Sequence, residues 1–141
     1  MVNDYKGVFG FPVTLHVTPS GGGSTEILGI LTHGLPDRQI NQEKIIPASG
    51  SVAGEEQVII ANEVSADIAV NVLFKKTSFL EVDAMKGLEL AYVMVVATGG
   101  SDQMTYTGSG SLKSAKQDDV DPGKAMRASY TFTWNAGWTI A

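Results

Sequence analysis

The sequence predicts a mainly β fold, an antiparallel sandwich with one short helix packed on it and a long loop between its early strands. Three observations carry that prediction. First, residues 102–135 hold a period of two: Met104, Tyr106 and Leu112 interleave with Gln103, Thr105, Thr107, Ser109, Ser111 and Lys113, and Ala128, Tyr130, Phe132 and Trp134 interleave with Arg127, Ser129, Thr131 and Thr133. Such alternation turns one row of side chains into a core and the other toward water, as in a half-buried antiparallel ribbon. Second, 16 glycines are spread among many Val, Ile and Thr, which suits short strands and frequent turns. Third, only one segment carries helix signals.

The 141 residues fit a single domain around one core. Hydrophobic residues make up 43% and charged residues 18%, which excludes a disordered, solvating chain. The first strand is expected over residues 8–18, with Phe9, Phe11, Val13, Leu15 and Val17 on one face. Pro12 cannot donate to a ladder, so this strand belongs at an edge, where pairing with another chain is invited, or begins past a bulge. Pro19 to Ser24 makes a glycine-rich turn, and residues 26–31 form a short second strand. Over residues 32–57 the pattern breaks down, and a loop is expected. Connections of that length are usually binding or assembly elements, and Leu35, Ile40, Ile45 and Ile46 are apolar anchors for a neighbour, with covering the chain's own core as the even alternative.

Residues 58–74 read as one long strand or two strands kinked near Asn62 and Glu63. The helix follows over residues 78–86: Ser78 and Glu81 match a capping box, and Gly87 suits a left-handed stop. Residues 88–98 form a strand so apolar through Val93, Met94, Val95 and Val96 that burial on both faces is expected. The two halves of the final ribbon are joined by a polar turn over residues 116–124, and Trp138 and Ile140 continue the aromatic row that closes the sandwich.

No catalytic constellation emerges. His16 and His33 are the only histidines, and both read as surface residues. Without cysteine there is no disulfide framework and no thiolate metal site. Gly108-Ser109-Gly110-Ser111 resembles a nucleophile elbow superficially, but it lies in a strand pattern with no strand-to-helix turn, so small residues permitting close backbone approach explain it better. Asp118, Asp119 and Asp121 suggest calcium, yet the position eleven residues after Asp119, where the loop rule wants a bidentate Glu, is Tyr130. They read as a solvated turn, with contact to a basic patch on a sister chain as the alternative. Glu55 and Glu56 guard a strand edge. A net charge of −5 with only ten Lys and Arg argues against a grip on nucleic-acid phosphates. No secretion signal is expected at the start, and no stretch approaches the roughly 18 apolar residues of a membrane span. A soluble protein made in the cytosol, without cofactor or metal, is the expectation.

The order of elements then points to a family. A short helix between two long strands and a C-terminal ribbon turning through Ser111-Leu112-Lys113-Ser114-Ala115-Lys116 and Asp121-Pro122-Gly123-Lys124, with a long loop after the second strand, resembles the major tail tube proteins of long-tailed bacteriophages. The resemblance implies a β-sandwich or small barrel that forms six-membered rings, stacked into a tube within the virion tail. It also implies other tail proteins as partners, such as the tape measure and the tail terminator, no membrane, and DNA passing down the lumen without specific binding. The residues expected at contacts between copies are Leu35, Arg38, Ile40, Lys44, Ile45, Ile46, Asp118, Asp119 and Asp121. Rival readings are a monomeric or trimeric β-sandwich binding module, for sugars or for capsid decoration, and a ring-forming tail terminator or completion protein.

Overall fold

The computed structural model describes residues 13–65, 67–96 and 102–141, with the backbone alone for Arg38 and residues 61–65. In chain order the elements are β1 (Thr14–Pro19), β2 (Thr25–Glu26), β3 (Ile30–His33), β4 (Arg38–Ile45), β5 (Gln57–Ser65), β6 (Ile68–Leu73), α1 (Lys76–Asp83), β7 (Glu89–Val96), β8 (Met104–Gln117), β9 (Arg127–Trp134) and β10 (Thr139–Ile140). The mainly β, antiparallel, sandwich-like prediction holds. One sheet runs β2-β1-β7-β8-β9-β6-β3, with β10 added to β8, and β4 and β5 form a separate pair.

The 14-residue β8 joins the two leaves of the sandwich. Its first half, from Met104 to Ser111, pairs with β7, and its second half, from Gly110 to Gln117, pairs with β9 on the other edge. One leaf brings Leu15, Val17, Leu90, Tyr92 and Met94 to the core, and the other brings Ile68, Val70, Val72, Tyr130, Phe132 and Trp134. Tyr92 links the leaves: its ring stacks on Trp134 at 4.9 Å and meets the edge of Phe132 at 5.5 Å. Its hydroxyl donates to the Thr133 carbonyl at 3.1 Å, and burial pushes that hydroxyl's pKa upward. Aromatic pairs of this geometry add to the stabilisation that area burial already gives.

This contact explains the small residues of β8. A Cβ on Gly110 would strike the Thr133 carbonyl and the Tyr92 ring, and one on Gly108 would sit 2.8 Å from the Trp134 ring and 3.0 Å from the Trp138 Cβ. Close approach, not chemistry, is their role. A bulge between Leu112 and Ser114 then shifts the phase of β8, so that Ala115 instead of Ser114 turns toward the core.

Several expectations are corrected. The second strand is two: Gly29, with φ 73°, breaks it, and residues 27–29 cross from the β1 edge to the β6 edge. Along that crossing the Ile27 amide donates to the Leu15 carbonyl and the Leu73 amide to the Gly29 carbonyl, both at 2.9 Å. Residues 58–74 divide into two strands after Ser65, while the irregularity expected near Asn62 and Glu63 is a register shift within the first of them, between Ile60 and Glu63. The capping box does not form: Lys75 is the extended N-cap and makes no side-chain cap bond. The helix starts at Lys76 because the Phe74 amide is held by the Met126 carbonyl at 2.9 Å, which ends the strand there. Ser78 thus lies inside the first turn, and the Glu81 carboxylate accepts instead from the Thr25 hydroxyl at 3.3 Å. The helix also ends earlier than expected, at Asp83 with Ala84 as a right-handed C-cap, so Gly87, φ 81°, does not stop it and turns the chain three residues beyond the cap.

β7 is buried on one face, not two: Leu90, Tyr92 and Met94 are inside while Val93 is 40% exposed. Trp138 joins the core, but Met104 and Ile140 are exposed, since both lie where their strands begin or end against solvent. The expected roles of Phe9, Phe11 and Pro12 lie outside the described residues. The expected loop over residues 32–57 is the largest correction, because much of it is strand.

Candidate assembly surface

β4 and β5 form an antiparallel hairpin with register Arg38↔Ser65 at its base and Ile45↔Gln57 toward its tip. The flanking strands β3 and β6 also pair with each other, His33 opposite Val70. The hairpin is therefore the continuation of the β3–β6 ribbon past the edge of the sandwich. At ~3.3 Å per residue the eight residues of β4 give an arm about 26 Å long. Its root is fixed: the Gly34 amide donates to the Ala69 carbonyl at 2.9 Å, and Pro36 is buried. Beyond the root the arm packs on itself, and among the described residues neither strand makes substantial contact with any element of the sandwich. Its tip turns through Gly50 and Gly54, with the Gly54 amide donating to the Pro47 carbonyl at 2.9 Å.

Among its described side chains the arm has no hydrophobic interior. Residues opposite one another in an antiparallel pair share a face, so Val58 and Ile60 lie with Lys44, Gln42 and Ile40 on one side, while Ile59 and Ile45 lie with Glu43 and Gln57 on the other. Both sides mix apolar with polar, and both are open: Ile46 is 68%, Ile60 66% and Val58 50% exposed. Lys44 meets Glu56 at 3.5 Å, a solvent-exposed pair across the hairpin that adds little stability. A lone two-stranded hairpin is at best marginally stable in water. This one also shows an apolar surface of the kind that marks contact with another protein.

The structure gathers Ile40, Lys44, Ile45 and Ile46 on this arm and places the backbone of Arg38 at its base. Leu35 is exposed at the root. Sequence reasoning missed Val58, Ile59 and Ile60, which read as the opening of a core strand. The signal available was the absence of alternation among three consecutive β-branched residues after Glu55 and Glu56.

Asp118, Asp119 and Asp121 lie apart from the arm, in the turn between β8 and β9. With Lys116, Lys124 and Arg127 they line an open, mixed-charge depression of about 720 Å³. The Asp118 carboxylate accepts from the Ser129 hydroxyl at 2.9 Å, and Asp121 pairs with Lys124 at 3.3 Å. Among the described residues no group of three or more His, Asp or Glu could hold a metal ion. No helix among them is long and apolar enough to cross a membrane.

His33, read as a surface residue, is half-buried at the arm's root. Its Nδ1 lies 2.6 Å from the Gly34 carbonyl, which can only accept, so Nδ1 carries the proton; Nε2 is buried with no partner among the described residues. Burial lowers the His33 pKa, outweighing the opposing pull of the Gly34 carbonyl. His16 lies half-buried on β1 opposite Val93.

No family model and no curated protein matches the chain. Solved structures do. A component of the anti-feeding prophage baseplate matches with TM-score 0.73 at 8% identity, over 100% of this chain and 97% of that one. A component of the sheath-tube complex of an extracellular contractile injection system matches at 0.62 and 12%, over 100% and 99%. The SPP1 tail tube matches at 0.60 and 12%, over 94% and 78%. The fold of this chain is thus the one shared by phage tail tube and contractile-injection components, as its order of elements implied.

Proposed function

We propose that the protein is a structural subunit of a phage-type tail tube, in which copies form six-membered rings that stack into a hollow filament and DNA passes down the lumen. The observation that carries this reading is the arm: a β-hairpin with apolar residues on both faces and, among the described residues, open edges and no seat on its own sandwich. Completion by copies of the same chain removes all three liabilities together. The shared fold supports it, and the anti-feeding prophage baseplate that it matches is 6-fold symmetrised. The arm residues Leu35, Arg38, Ile40, Lys44, Ile45 and Ile46 then stack one ring on the next, while Asp118, Asp119 and Asp121 meet basic groups of a sister subunit. The Ser and Thr rows of β8 and β9 and the net charge of −5 give DNA few cationic groups on which to stick. In the virion the partners are further copies and other tail proteins, such as the tape measure and the terminator.

Negative-stain microscopy of the purified protein tests the reading, which expects hollow filaments or six-membered rings. Compact single particles at every concentration would refute it. A second reading, a ring-forming terminator or completion piece at one end of the tube, is favoured by the higher TM-score of the baseplate match, and it expects rings that do not extend.

A further inference from the structure

The sandwich is not closed. Residues 27–29 hold its two edges together at one level, bonded to Leu15 on β1 and to Leu73 at the end of β6. Beyond that level the edges part and, among the described residues, leave an open cleft of about 650 Å³, lined by Val13 and Thr14 on one side and by Ile30, Leu31 and His33 on the other. β3 ends the sheet, so among the described residues the strand edge facing away from β6 is unpaired. Leu28, 54% exposed, and Leu31, 44% exposed, rim the same cleft. Leu31 stands out because the register with β6 slips between Ile30 and Thr32. An open strand edge beside exposed leucines is a site for an added strand, which backbone bonds hold and side-chain pockets select.

We propose that this cleft seats the arm of a second copy, one arm strand adding to the free edge of β3 while its isoleucines cover Leu28 and Leu31. The inference rests on the self-assembly proposed above and names the surface that receives the arm. Two features select this occupant. The arm offers what the cleft lacks, a strand with a free edge and exposed Ile40, Ile45, Ile59 and Ile60. Among the described residues the chain's own arm leaves along the line of β3 and β6 and makes no substantial contact with the sandwich, so it does not fill its own cleft.

The chain has no cysteine, so cross-linking needs no background removal. Leu31→Cys and Ile60→Cys are made in separate chains, mixed under assembling conditions and oxidised, with Val120→Cys, exposed in the β8–β9 turn, replacing Leu31→Cys as the control. The expected result is at least tenfold more disulfide-linked mixed dimer for the Leu31 pair than for the control. Assembly without that excess would overturn the seat and leave the tube reading standing. A further chain carrying both Leu31→Cys and Ile60→Cys is oxidised alongside, and cross-linking only within that chain, with none between the separate chains, would overturn the seat too by showing the arm in its own cleft. Failure of the unmodified protein to assemble would overturn both. A second arm uses Leu28→Asp with Leu31→Asp: circular dichroism should be unchanged while the concentration needed for assembly rises at least tenfold, and unchanged assembly by a folded variant counts against the seat.

Discussion

The sandwich and the arm are built from the same residue types and end in opposite states. In the sandwich, Tyr92, Tyr130, Phe132 and their neighbours are almost wholly buried. In the arm, Ile46, Val58 and Ile60 are at least half exposed. Strand pairing alone does not finish a structure, since a sheet must also cover a face. The sandwich covers its own through the second leaf; among the described residues the arm has no second leaf. The difference separates residues that hold the subunit together from those that the proposed function assigns to contacts between subunits.

Four substitutions sharpen that division, and the largest effect belongs to the sandwich. Tyr92→Ala removes the ring between the leaves and should cost about 3–5 kcal/mol of unfolding free energy in a urea titration. Gly110→Ala drives a methyl into the Thr133 carbonyl and should cost about 3 kcal/mol, the upper end for overpacking; a loss under ~1 kcal/mol would show that the leaves sit farther apart. His33 comes next. Because its folded pKa lies below the ordinary histidine value, the unfolded chain binds the proton first as pH falls. Stability is therefore complete above about pH 6.5 and declines below it. Urea titrations at pH 7.5 and 5.0 should show a smaller loss in His33→Gln than in the parent chain, and equal losses would remove His33 from the account. The smallest stability effect is expected at Ile45→Asp, within ~0.5 kcal/mol in the free subunit, although the same change should abolish or sharply weaken assembly in sedimentation. Loss of folded protein in that variant would make Ile45 a core residue.

How much of this was legible in the sequence follows the same line. Ala128, Tyr130, Phe132 and Trp134 could be read directly, because a face buried against one's own chain imposes strict alternation. Gly108 and Gly110 were legible as a close approach for the same reason. β4 was not: with Ile40 and Ile45 an odd number of positions apart and polar residues on both sides, its pattern records no single buried face within the chain. β7 misled in the other direction, since Val93 is apolar yet outward. The capping-box spacing of Ser78 and Glu81 was present, but the helix start was set by a bond from Phe74 to Met126, a contact distant in sequence that no local spacing reports. Leu28 and Leu31 gave no signal, because the cleft they rim exists only once the two sheet edges come together.

Hydrogen exchange across the arm, compared between dilute free subunits and the assembled filament, tests most directly whether copies of the chain complete what one copy leaves open. The amides of β4 and β5 should exchange readily in the free subunit and become protected by at least a hundredfold on assembly, while those of β8 and β9 stay protected in both. Arm protection that is already equal to that of β8 and β9 in the free subunit, and unchanged in the assembly, would contradict the account.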